Sequence, residues 1–325
     1  MHPAFSVIFL TTLIGVGQGL FLALYTGQLY SVVNVLPVQD SHSFYGLGSL
    51  LTLVFLLAGL VASVFHLGRP ERAWRTATRW RSSWLSREVI VLPAFIALTA
   101  LYGVINYYDL NPVLFSLNGE IHVELSLVVG GVNTVLAFAL FFCTAMIYAC
   151  VKFLQEWATP LTVVNYTLLG SASGFSLATA FAAYTGSGLV AFYAAWAVII
   201  TLAAFVTRIA SLLRNANIKY KSSLRSAIGI RHSNIQQKSC GFMAGSFNTR
   251  EYFHGATKRK FRSVKWTFLL LVFPLPVLLI GIGLGTSQAQ VFALAFAIQY
   301  LGLLAERWFF FAQARHPQNL YYQTA

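Results

Sequence analysis

Charge is scarce in this chain. Only 9 of 325 residues are acidic and 22 are Lys or Arg, so charged side chains make up 10% of the sequence. A soluble domain carries about 25%, and a soluble globular fold is excluded. Charge is absent altogether from 1–39, 41–68, 89–108, 125–151, 157–207 and 266–305. Cysteine is nearly absent too. Cys143, Cys150 and Cys240 are too few and too scattered to hold an iron–sulfur cluster or to attach a haem covalently. The seven histidines, His2, His42, His66, His122, His232, His254 and His316, all fall at run ends or in connections. Without two histidines at matching depth, haem b is not expected, and no resident metal is expected. The first apolar run is too long for a cleavable signal and has no basic flank, so it reads as a permanent span.

What remains is apolar. Hydrophobic residues make up 57% of the chain. A helix surrounded by lipid must be apolar all round, and about 20 residues cross a bilayer. The expected fold is an all-α integral membrane protein with about eight spans, at 5–29, 45–67, 86–107, 125–151, 162–184, 189–212, 266–285 and 289–311. Turn signals at Thr185-Gly186-Ser187-Gly188 and Gly285-Thr286-Ser287-Gln288 divide the two longest runs. Two four-helix bundles, 1–156 and 157–325, are the expected division.

This reading sorts the charges. The connections 30–44, 108–124, 185–188 and 286–288 contain no Lys or Arg, and all 22 basic residues lie on the opposite side. The basic side is expected to be cytoplasmic, with both termini inside a bacterial inner membrane. The net charge of +13 then suits anionic lipid or an acidic partner and gives no reason to expect nucleic acid. Gly15 with Gly19, Gly170 with Gly174 and Gly281 with Gly285 have the spacing that lets helices approach closely. Pro274 and Pro276 should kink the seventh span.

The segment 213–265 is the one long polar region. Its 12 basic residues are interleaved with Tyr220, Phe242, Phe247, Tyr252, Phe253 and Phe261. That mixture suits a docking surface for a soluble subunit; the alternative is a loop resting on anionic headgroups.

Ionisable groups beside lipid are candidates for function. His66 closes one apolar run and Glu88 opens the next, two residues after Ser86, a plausible N-cap. Gly68, Arg69, Pro70, Arg72 and Trp74 lie between them. A histidine and a carboxylate at one membrane surface can handle protons, although each also suits an ordinary interfacial site. Gln18, in the middle of the first span, must hydrogen-bond, either to a neighbouring helix or to a ligand carbonyl. Glu120, His122 and Glu124 read as an exposed loop, with a proton exit or a metal site as the alternatives, and Glu306-Arg307 as a structural ion pair, mutual or with Arg208.

The stretch His66-Leu67-Gly68-Arg69-Pro70 with Arg72, Ala73 and Trp74, then Leu85-Ser86-Arg87-Glu88, Gly17-Gln18 and Glu306-Arg307, resembles the membrane-anchor subunits of the dimethyl sulfoxide reductase family. The opening residues 1–9 and Gly245 to Gly255 are most similar to the branch of that family that anchors cytoplasm-facing, sulfite-oxidising complexes. The resemblance implies an anchor, without catalysis toward the primary substrate, that exchanges electrons with quinone, either ubiquinone or menaquinone. A molybdopterin catalytic subunit and a ferredoxin-like Fe–S subunit would hold the other cofactors, the latter docking on 213–265 and 68–85. It implies quinone-site roles for His66 and Glu88, with Gly68, Arg69 and Trp74 as neighbours. The other class that fits is a transporter of small sulfur oxyanions, with the cationic 66–81 region as its vestibule.

Overall fold

The computed structural model describes residues 1–117, 121–220, 222–232, 234–236 and 252–321. The long helices are α1 (Phe5–Val32), α2 (Leu47–Val64), α3 (Trp84–Tyr107), α4 (Leu125–Ala149), α5 (Pro160–Tyr184) and α6 (Val190–Ala216). After the short α7 (Leu224–Ile228) come α8 (Lys258–Val272), α9 (Pro274–Thr286) and α10 (Ala289–Gln313). With α8 and α9 taken as one span, seven segments among the described residues are long and apolar enough to cross a membrane. The eighth crossing, α5, has the length at 25 residues but a more polar sequence with Thr, Asn, Ser and Gly throughout. It lies at the centre, packed on α1, α4, α6 and α10, where neighbouring helices replace lipid. The protein is a multi-pass membrane protein.

Local chemistry sets the ends. Ser83 caps α3 by accepting from the Ser86 amide at 3.3 Å, so the cap stands three residues before the expected Ser86. Thr159 caps α5 ahead of Pro160, which occupies the first turn where no N–H is needed. Asp40 accepts from the Ser43 amide at 2.7 Å and starts a turn of π-helix, Ser41–Gly46, that leads into α2. Gly186 supplies a φ of +68° in the tight turn between α5 and α6.

Helix α1 is the axis of the bundle, and Val16, Leu20, Phe21, Ala23 and Leu24 on it are fully buried. It packs along α2 on one side and α5 on the other, so one continuous core contains residues of α1 to α6, α9 and α10. At the α1–α5 crossing the backbones touch. A Cβ on Gly174 would come 2.0 Å from the Gly19 carbonyl carbon, and one on Gly19 would come 2.4 Å from the Gly170 oxygen. Gly281 and Gly285 differ from expectation. They face open space, because their side of α9 points away from the bundle.

The seventh span breaks as its prolines require. Phe273, with φ −110° and ψ −78°, separates α8 from α9, and Pro274 begins the new helix. The freed Val272 carbonyl accepts from Gln299 Nε2 at 3.4 Å. Helix α8 starts at Lys258, about two turns before the apolar run, capped by Thr257. On the other face, Val113–Leu117 and Ile121–Glu124 pair as an antiparallel hairpin where only a loop was expected. The Met1 amine donates to the Ala314 carbonyl at 2.7 Å, so both ends of the described chain meet on one face.

Candidate functional site

Five helices converge at the face where α1 begins. Glu88 is the fifth residue of α3, and Thr144 lies five residues before the end of α4. Tyr166 is six residues into α5 and Arg307 six before the end of α10. At a rise of 1.5 Å per residue these side chains start roughly 6–9 Å below that face. Gln18, thirteen residues into α1, lies about 20 Å down. All five line one narrow cleft with about 20 Å³ of free volume inside it. The walls are Leu10, Ile14, Phe141, Leu169 and Leu303, with Gly15, Gly170 and Ser173 lining the groove between α1 and α5.

The polar groups are not equally satisfied. Thr144 donates to Glu88 Oε1 at 2.5 Å, which leaves the second carboxylate oxygen without a hydrogen bond among the described residues. Gln18 donates to the Ala137 carbonyl at 2.8 Å, so its amide N–H holds α1 to α4 and its Oε1 stays uncommitted. The Tyr166 hydroxyl is buried without a hydrogen-bond partner. Arg307 lies 3.7 Å over the Tyr166 ring and 3.1 Å from Glu306 Oε2, a cation–π contact and an ion pair in one side chain. Glu306 Oε1 also pairs with Arg208 at 2.8 Å. Sequence reasoning proposed two alternatives for Glu306, and the structure contains both. The side chains are 1–5% exposed, and the cluster holds two cations for one anion.

The remaining candidates stand apart from this cleft. His66, Gly68, Arg69 and Trp74 do not line it. They occupy the exposed turn after α2 and the one-sided 3₁₀ stretch Pro70–Arg79, where Trp74 is 66% exposed. Partial burial pushes the His66 imidazole below the ordinary histidine value, so the neutral form dominates at pH 7 and can accept a proton. Arg75 sits over Trp74, Arg81 over Trp80 and Arg87 over Trp84, at 5.6, 5.3 and 4.0 Å. Cation–aromatic pairs therefore decorate this whole connection. The structure thus groups Glu88 with Gln18 and separates them from the 66–74 stretch.

Thr144, Tyr166 and Arg307 are the site residues that sequence reasoning missed. Glu306-Arg307 carried a signal, two charges inside an apolar run, but its place in the cleft depends on how α10 packs against α5. On the far face, His122 Nδ1 meets Ser116 Oγ at 2.9 Å and Glu124 is held by Asn111, while Glu120 lies outside the described residues. Among the described residues, no group of three or more His, Cys, Asp or Glu could hold a metal ion.

At the same face Glu156 organises the root of the polar segment. Its Oε1 accepts from the Tyr220 hydroxyl at 2.6 Å and from the Arg315 amide at 3.2 Å. Burial, then the hydrogen bond and charge of Glu156, push Tyr220 up to about 12. Tyr252 stacks on His316 at 3.7 Å, and Asn319 donates to the Tyr252 carbonyl, so the C-terminal residues hold the other root. Phe242 and Phe247 lie outside the described residues.

Two comparisons bear on this arrangement. Residues 1–237 match the family described as DMSO reductase anchor subunit (DmsC). Over 324 residues the chain is 56% identical to one of the subunits of the sulfite dehydrogenase of Allochromatium vinosum, covering 100% of this chain and 99% of that protein. The charge-sorted helical bundle with a polar cleft at one face is a member of the DMSO reductase anchor subunit (DmsC) family.

Proposed function

We propose that the chain is the quinone-reactive membrane anchor of a molybdopterin and Fe–S sulfite-oxidising complex. The relative's name supplies the substrate. Sulfite and water would yield sulfate, two protons and two electrons in the catalytic subunit. A ferredoxin-like Fe–S subunit, docked on the basic face formed by 68–85 and 213–265, would carry the electrons to the cleft. There a quinone, two electrons and two protons become a quinol.

The observation that carries this reading is the pairing of an apolar wall with converging polar groups in one cleft. A quinone head is a flat apolar ring with an oxygen at each end, and the lining residues of the cleft include apolar and polar side chains of the matching kinds. Leu10, Ile14, Phe141, Leu169 and Leu303 would hold the ring and tail. Glu88, kept in place by Thr144, would hand a proton to a quinone oxygen. Gln18 Oε1 lies deeper for a hydroxyl of the product. His66, neutral and half-open to water, would take protons from the face and refill Glu88, with Arg69 and Trp74 shaping the entry. We place the basic face in the cytoplasm of a bacterial inner membrane. Electrons and protons would then enter from one side, and turnover would be electroneutral.

The test is Glu88→Gln in the assembled complex. Quinone-coupled sulfite oxidation should fall at least about 100-fold, the lower range for removing a positioned proton donor. Oxidation coupled to a water-soluble dye that accepts electrons from the Fe–S subunit should stay normal. Undiminished quinone reduction by a normally assembled variant would overturn the assignment.

A further inference from the structure

The ion cluster beside Glu88 is more than a clasp between α6 and α10. Arg307 is 4% exposed, and its only anionic contact among the described residues is from Nε to Glu306 Oε2 at 3.1 Å. Its guanidinium lies 3.7 Å over the ring of Tyr166, whose hydroxyl is buried. Both side chains line the cleft. A buried guanidinium with free donors loses several kcal/mol of hydration unless something meets it. Glu306 is shared with Arg208 and so compensates only one of the two cations. Arg307 and Glu88, the one acid among the lining residues, both border the cleft.

We propose that Arg307, with Tyr166 beside it, is the fixed electropositive pole of the cleft and selects headgroups that carry negative charge on an oxygen. Glu88 is the acid of the same cleft. A headgroup gaining electrons builds negative charge on its oxygens before protons arrive. A permanent cation that needs no reorganisation stabilises that charge best in a dry site. This inference rests on the quinone reading of the cleft.

The probes are a 2-hydroxy-3-alkyl-1,4-naphthoquinone, which is ionised at neutral pH, and its 2-methoxy ether, which is not. Binding of each is measured on membranes containing the assembled complex. Wild type should favour the ionised compound. Arg307→Gln leaves Arg208–Glu306 as a neutral pair. It should weaken the ionised ligand about tenfold or more, the equivalent of one charge-assisted hydrogen bond, and the ether by less than about threefold. Arg307→Lys keeps the charge and should retain most of the preference. Equal losses for both ligands, or no loss for either, would overturn the proposal. The variant Arg208→Gln/Glu306→Gln covers the case in which Arg307→Gln does not accumulate. It leaves Arg307 as the sole charge of the cluster, so the preference should survive, and its disappearance would also refute the idea. Should wild type bind the ether but show no preference for the anion, this inference alone fails. Should neither compound bind while Glu88→Gln leaves quinone turnover intact, the quinone reading fails with it.

Discussion

Glu306→Gln is the most informative single change for stability. The substitution keeps the shape and removes one charge. Glu306 sits 2.8 Å from Arg208 and 3.1 Å from Arg307, with every side chain in the cluster nearly inaccessible. At an effective dielectric of about 20, those separations correspond to attractions of about 6 and about 5 kcal/mol. Most of that sum offsets the dehydration of three ions. The measurable loss on removing one partner is therefore about 3–5 kcal/mol, because two buried guanidiniums are left facing each other. Unfolding of the purified anchor in detergent, followed by circular dichroism, should show that drop. Arg208→Gln/Glu306→Gln should recover part of it, since one unpaired cation leaves with its partner, and adding Arg208→Gln alone completes the cycle that gives the coupling energy of the pair. A Glu306→Gln protein within about 1 kcal/mol of wild type would refute the argument, because the cluster's charges would then be solvated by something other than each other.

Other expectations follow from the packing and the caps. Gly174→Ala should destabilise by about 1–3 kcal/mol, because its Cβ would strike the backbone of α1, whereas Gly281→Ala in open space should be neutral or slightly stabilising. Equal thermal stabilities would contradict the α1–α5 crossing. Two hydrogen bonds from Ser43 hold the Asp40 carboxyl below its ordinary value. Its contribution is therefore complete above the ordinary carboxylate pKa and is lost as pH falls through the lower folded value. Hydrogen exchange at the Ser43 amide should accelerate below that point, and Asp40→Ala should abolish the pH dependence. Glu156→Gln, by weakening the hold on Tyr220 and Arg315, should speed tryptic cleavage near Lys219. An unchanged cleavage rate would remove Glu156 from that role.

Much of the architecture was legible in the sequence because lipid is an unforgiving solvent. Charge-free runs located the spans, Pro274 and Pro276 the break, and the Gly15/Gly19 and Gly170/Gly174 spacings marked two helices that do approach closely. The partial failures have physical causes. Ser86 looked like a cap because it precedes Glu88, but Ser83 reaches the free amide first. Gly281 and Gly285 had the right spacing on the wrong face, and spacing alone does not say which face meets a neighbour. Glu88 and Gln18 stood out as polar groups in apolar surroundings. Their companions Thr144, Tyr166 and Arg307 come from three other helices, and no local pattern announces that convergence. His66 and Trp74 are close to Glu88 in sequence, yet they sit on the exposed connection while the helix carries Glu88 inward.

Helix α5 has a consequence for how the protein is made. A segment so rich in Ser, Thr, Asn and Gly partitions weakly from the translocation machinery into bilayer by itself. A short turn ties it to α6, which is strongly apolar, so the two should leave the machinery together as a hairpin. Its polar face would then wait for α1, synthesised more than a hundred residues earlier, to close over it. Biogenesis of this protein should accordingly be most vulnerable between the emergence of α5 and its capture by the first helix.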